Sequence, residues 1–203
     1  MKIPYCLARL VFLSILISGC GDTPQLPKLS KDAVILAFGD SLTHGNGVQE
    51  QNSYPAILKK LTGREVINAG VSGEVSQAGL RRLPPLLERY HPQLLILCHG
   101  GNDILRKMDL NQMAANVKAM IRLAQEKNIP VVLLGVPRFG LFPSSAEQYK
   151  EIAKTTGVVF IEDLVPEILG DNSLKSDTVH PNKDGYRVMA ETIYHVMQKA
   201  GAI

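Results

Sequence analysis

Cysteine is scarce in this 203-residue chain, and only Cys98 lies beyond the first 20 residues. A disulfide framework within the folded part is therefore excluded. A strong charge of one sign is missing too. The formal net charge is +3, and two of the basic residues, Lys2 and Arg9, stand in a leader-like segment that holds no acid. Without that segment bases and acids nearly balance, so composition gives no pointer to nucleic acid. No apolar run approaches the roughly 20 residues that a bilayer core requires; Leu10 to Ile17 is the N-terminal stretch, and Ser14 breaks it. Internal repeats, low-complexity tracts and a second domain are also absent. What remains is 45% hydrophobic and 20% charged, ordinary for one domain able to bury a core.

Lys2 and Arg9, the apolar stretch and the small residues that follow read as a secretory signal of residues 1–19. The ending Ile17-Ser18-Gly19-Cys20 resembles a bacterial lipoprotein signal. That resemblance implies a lipid on Cys20, export, and a membrane-anchored place in the cell envelope, facing the periplasm or the cell surface. A plain signal peptide cut near Gly19, or an uncleaved anchor, are the alternatives. Residues 20–31, with Pro24, Pro27 and no periodicity, are expected to form the lipidated N-terminus and a tether. The domain proper is then 32–203.

Within it, short apolar runs alternate with helical stretches. Strands are predicted at Ala33–Phe38, Glu65–Asn68, Leu94–Leu97, Val131–Val136 and Val158–Ile161. The third and fourth are almost continuously apolar, as strands buried on both faces should be. Ser53 is expected to cap a helix that has Pro55 in its first turn and runs to about Leu61. A second helical stretch covers Val75 to Tyr90, with an interruption expected at Pro84-Pro85. Further helices fall at Asn111–Glu126, Glu147–Thr156 and Lys183–Lys199. The alternation predicts an α/β fold with a five-stranded parallel sheet covered on both faces.

Such sheets gather ligands at the carboxyl ends of their strands. Unusual residues fall there: Gly39-Asp40-Ser41-Leu42 after the first strand, Val71-Ser72-Gly73 after the second, and His99-Gly100-Gly101-Asn102-Asp103 after the third. Before the last helix stands Asp177-Thr178-Val179-His180. A nucleophilic serine needs a base, and the base needs a third group that fixes its tautomer. Ser41, on a tight turn, suits the first role. His180 and Asp177, three apart, suit the other two. Gly73 can offer a backbone N–H and Asn102 a side-chain amide to a developing oxyanion. Taken singly, each of these is as readily a turn or cap residue; together, at successive strand ends, they form a constellation.

The four blocks match, in order and spacing, those of the SGNH (GDSL) hydrolase family. The resemblance covers nearly all of residues 33–200. The segment Val71 to Leu80 with Arg82-Leu83-Pro84 looks especially like the bacterial acyl thioesterase/lysophospholipase/arylesterase branch. It implies a three-layer α/β/α flavodoxin-like fold, a Ser41–His180–Asp177 triad, and an oxyanion hole from the N–H groups of Ser41 and Gly73 plus Asn102. It implies no metal, no cofactor and no obligate protein partner. Expected substrates are small acyl esters, thioesters or lysophospholipids. Acetylated glycans of the envelope are an alternative, and a silent lipid- or glycan-binding lipoprotein is a rival of another class.

Neighbouring residues are assigned lesser parts. Asp40 and Asp103 are expected to buttress turns, Cys98 to pack as a small hydrophobe, and Arg106 to sit in solvent. His44 and His99 lack a carboxylate at the right spacing. Pocket walls are expected from Gly45–Asn52, Glu74–Gly79, Ile104–Met108 and Arg138–Ser144. A phosphatase reading fails because Leu42 stands where a second aspartate is needed, and no Gly-x₄-Gly-Lys-Ser/Thr loop exists for a nucleotide. A flavin-binding reading would rest on the fold alone.

Overall fold

The computed structural model describes residues 24–138 and 144–203; the expected signal of residues 1–19 and Cys20, with the other residues up to 23, and Phe139 to Pro143 lie outside them. In chain order the elements are β1 (Val34–Gly39), α1 (Ser41–His44), a 3₁₀ turn (Glu50–Asn52), α2 (Tyr54–Thr62), β2 (Glu65–Gly70), α3 (Ser76–Tyr90) and β3 (Leu94–Cys98). There follow α4 (Gly101–Leu105), α5 (Leu110–Gln125), β4 (Val131–Leu134), β5 (Pro137–Arg138), β6 (Ser144–Ser145), α6 (Glu147–Thr156), β7 (Val159–Ile161), α7 (Leu164–Gly170) and α8 (Lys183–Lys199).

Five strands form a parallel sheet in the order β2-β1-β3-β4-β7. This is the flavodoxin-like arrangement, with its switch point between β1 and β3. Ile35 to Phe38 and Leu94 to Cys98 are buried at every consecutive position. That is possible only with helices on both faces. α2 packs with α8 in one layer, and α3, α5 and α6 pack together in the other.

Register places the site. Gly39 stands opposite both Gly70 and Cys98, so the three loops that leave β1, β2 and β3 start at one level. Side chains are excluded at two of these positions. A Cβ on Gly39 would collide with the Cys98 carbonyl, and one on Gly70 with the His44 backbone.

Three expectations are corrected. α3 runs unbroken from Ser76 through Pro84 and Pro85 to Tyr90. Leu83 and Leu87 bury its inner face, while Arg81 and Pro85 are exposed. The carbonyl that Pro85 leaves unpaired therefore meets water rather than core. Ser53 occupies the N-cap of α2 without bonding forward; its hydroxyl donates back to the Glu50 carbonyl at 2.7 Å. The presumed tether is not free over its second half. Leu26 and Leu29 are buried, and their N–H groups donate to the carbonyls of Ala200 and Ala202, each at 2.8 Å. Arg64 adds bonds to the carbonyls of Ser30 and Leu29, at 2.9 and 3.2 Å. Two leucines spaced three apart turn a polar linker into a strap.

Candidate active site

Asp40 begins the site. It is 1% exposed and caps α1, its Oδ1 accepting the Leu42 N–H at 3.1 Å. Burial pushes its carboxyl pKa up, against the pull of nearby His99. Capping sets Ser41 at the first helical position, where a backbone N–H has no intrahelical acceptor. Asp40 thus buttresses the turn, as expected.

Asp177 organises the opposite wall. Its Oδ1 accepts the N–H groups of Val179 and His180, both at 2.8 Å, closing a local turn. That turn aims Oδ2 at His180 Nδ1, 2.8 Å away. His180 Nε2 then lies 2.9 Å from Ser41 Oγ. With Nδ1–H donated to the carboxylate, Nε2 is left to accept the serine proton. Burial pulls the Asp177 pKa up, but the bonds from His180 and the Val179 N–H outweigh it and hold the carboxyl below its usual range. The loop is itself pinned: the Ser176 N–H donates to the His180 carbonyl at 2.9 Å, and Asn182 caps α8 while donating to the Ser173 carbonyl at 2.8 Å.

Gly73 adopts a left-handed φ of 76°, a conformation that favours glycine. Among the described residues neither its N–H nor that of Ser41 has an acceptor. Asn102 Nδ2 donates to the Glu74 carbonyl at 3.0 Å and to Asp40 Oδ2 at 3.4 Å. Ser41, His180 and Asp177 are thus joined by hydrogen bonds, Asn102 lines the same cavity as Ser41, and Gly73 adjoins Glu74, whose carbonyl Asn102 bonds. Beside Ser41 opens a cavity of ≈ 20 Å³ walled by Leu42, Leu105, Val136, Pro137, Leu169 and Val179. Over Leu105 lies a wider groove, ≈ 460 Å³, bordered by Ile104, Met108, Leu110 and Arg138.

The walls differ from expectation. Gly45–Asn52 borders a separate hollow with His44 and Asn68, whereas Leu169 of α7 and Val179 enter the cavity unforeseen. The expected Arg138–Ser144 wall falls mostly outside the described residues. Arg106 is exposed, yet its Nη2 donates to the Gly73 carbonyl at 2.9 Å, so it is more than a solvated residue. Asp103 accepts the N–H of Ser76 at 2.8 Å and its hydroxyl at 2.7 Å, tying the start of α3 to α4. Cys98 is fully buried, and burial pushes its thiol well up. His44 is exposed and His99 fully buried, and among the described residues the ring bonded to Ser41 Oγ is that of His180.

Sequence reasoning also missed an ion cluster beneath Gly73. Arg82 donates to Glu74 through Nε at 2.8 Å and Nη2 at 2.7 Å, and His99 Nε2 lies 3.1 Å from the same carboxylate. No local spacing announces it; the three residues come from separate elements.

Residues 37–188 match the GDSL-like lipase/acylhydrolase family. The chain is 31% identical to esterase TesA of Pseudomonas aeruginosa, over 83% of this chain and 89% of that protein. It is 28% identical to thioesterase 1/protease 1/lysophospholipase L1 of Escherichia coli K12, over 81% and 83%. The solved psychrotrophic esterase EstA of a Pseudoalteromonas species superposes with a TM-score of 0.73 at 28% identity, covering 83% of this chain and 98% of that one. A sheet of the same kind, a match across most of the domain and relatives named as esterases converge: the chain belongs to the GDSL-like lipase/acylhydrolase (SGNH hydrolase) family of carboxylic ester hydrolases.

Proposed function

We propose that this protein is a serine esterase that cleaves carboxylic (thio)esters through an acyl-enzyme on Ser41. The observation that carries the reading is the unbroken line of hydrogen bonds from Ser41 Oγ to His180 (2.9 Å) to Asp177 (2.8 Å). His180 takes the serine proton as Oγ adds to the ester carbonyl carbon. Asp177 keeps the ring oriented and stabilises its cationic form. The N–H groups of Ser41 and Gly73 and the amide of Asn102 receive the oxyanion. Collapse expels the alcohol or thiol, which collects the proton from His180. Water then repeats the sequence and releases the acid.

The cavity beside Ser41 favours short acyl groups. At ≈ 20 Å³ it exceeds only slightly what one water molecule occupies on this measure, and its apolar walls suit a methyl or ethyl tail. Longer chains, those of lysophospholipids included, have to cross Leu105 into the neighbouring groove. The same small cavity favours a second reading, an O-acetylesterase acting on envelope glycans. A rate comparison across p-nitrophenyl esters of increasing chain length and acetylated glycans separates these readings. Short esters are expected to react fastest, and Ser41→Ala to lower kcat by about 10³-fold or more without unfolding the protein. Undiminished activity in that variant would overturn the assignment. No turnover by the wild type would favour the silent binding lipoprotein.

Signal cleavage before Cys20, lipidation of Cys20 and an envelope location are part of the same proposal. Support comes from the Ile17-Ser18-Gly19-Cys20 ending. Cys20→Ser is expected to move the protein from the membrane to the soluble fraction; unchanged fractionation would refute the anchor.

A further inference from the structure

Glu74 follows Gly73 directly and is held from three directions. The Arg82 guanidinium grips its carboxylate with two bonds, at 2.8 and 2.7 Å, and the same Nη2 reaches the carbonyls of Ala69 at 3.1 Å and Gly39 at 3.4 Å. That guanidinium also lies 4.3 Å over the Phe38 ring. From the far side comes His99, wholly buried, whose Nδ1 accepts the Gly100 N–H at 3.0 Å. Its hydrogen is therefore on Nε2, directed at Glu74 Oε2 at 3.1 Å. Finally, the Glu74 backbone carbonyl accepts from Asn102 Nδ2 at 3.0 Å.

One residue thus joins the ends of β1, β2 and β3 to both donors that flank it, the Gly73 N–H and the Asn102 amide. Gly73 has no side chain with which to fix its own peptide. At the surface its loop is held by the Glu74 N–H to the Val71 carbonyl at 3.2 Å, by Ser72 Oγ donating to Asn46 Oδ1 at 2.6 Å and by the exposed Arg106. The buried attachment is the one through Glu74. An ion pair at the surface would be worth little, but the Glu74 side chain is only 8% exposed, and a bidentate guanidinium fork fixes orientation as well as charge.

We propose that Glu74, clamped by Arg82 and His99, is a positioning residue for the oxyanion hole. It touches no substrate; it sets where the Gly73 N–H and the Asn102 amide stand when charge develops on the ester oxygen. The proposal rests on the Ser41 reading above. Small displacements of such donors are costly, because they are aimed at the transition state rather than the ground state.

The test is a kinetic double-mutant cycle on p-nitrophenyl acetate with Glu74→Gln, Asn102→Ala and the pair, each checked by thermal melting to be folded at the assay temperature. Glu74→Gln alone should lower kcat about 10–100-fold with KM within about 2-fold. In the Asn102→Ala background the same change should cost clearly less than in the wild type, because one of the two donors it positions is already gone. Arg82→Lys, which keeps the charge and loses the fork, should reproduce a milder form of the kcat defect. Additive losses, an effect on KM alone, or unaltered kcat in Glu74→Gln would overturn the proposal. So would failure of both Glu74→Gln and Arg82→Lys to fold, which would make the cluster a folding element only. An active Ser41→Ala would instead strike the underlying reading.

Discussion

Glu74 and Asp177 are both carboxylates held below their usual range. Burial pulls the Glu74 pKa up, yet bonds from His99 and Arg82 outweigh it and bring the carboxyl from 4.5 to about 2. A carboxyl depressed by folding contributes stability that is fully present above its unfolded value. That contribution is lost as pH falls from about 4.5 through 2. The wild type should therefore lose urea resistance as pH falls from about 4.5 through 2, the window set by that shift. Glu74→Gln should show a flatter curve and a lower starting point, and parallel curves would count against the ion cluster as the cause. The two carboxylates also differ in how readable they are. Asp177 finds His180 three positions away, within one turn, so spacing alone suggests the pair. Glu74 finds His99 across 25 positions and a strand boundary. Only the register of the sheet creates that contact.

Among elements, α3 is the instructive case. Two adjacent prolines argue for a break, because each removes a helical N–H and crowds the carbonyl four residues back. Tertiary packing of Leu83 and Leu87 overrides that local preference. The cost is still present, so Pro85→Ala should raise stability by up to about 3 kcal/mol, read as a rise in Tm; no rise would mean that the bond to the Arg81 carbonyl does not form. The long amphipathic helices and the apolar strands were legible because their periods repeat over many residues. α6 and α8 fall on their predicted bounds. α1, α4 and α7 escaped notice because four to seven residues complete at most two turns and show no period. β4 ends at Leu134 rather than Val136, since Pro137 cannot donate to a ladder and the chain turns into the short β5–β6 pair.

At the scale of the molecule, the site is a property of the sheet. Ser41 begins α1, Asn102 lies in the first turn of α4, and Gly73 and His180 stand on loops; the parallel register starts the first three connections at one level. Their order along the chain was visible in sequence; their meeting depended on strand order. The N-terminal strap is held at the other pole. Leu26→Ala with Leu29→Ala should lower stability by about 2 kcal/mol per leucine, measured by urea unfolding, while leaving kcat unchanged. A kcat defect would show that the strap reaches the site.

That strap also sets where an anchor on Cys20, as proposed above, would meet the folded domain. It is fastened to Ala200 and Ala202, just past the end of α8, whereas His180 stands just before its start. The 17 residues of α8 separate the two by about 25 Å. From Cys20 to Pro24 the chain extends at most about 14 Å. The lipid on Cys20 proposed above would therefore join the domain at the end of α8 opposite the catalytic serine and histidine.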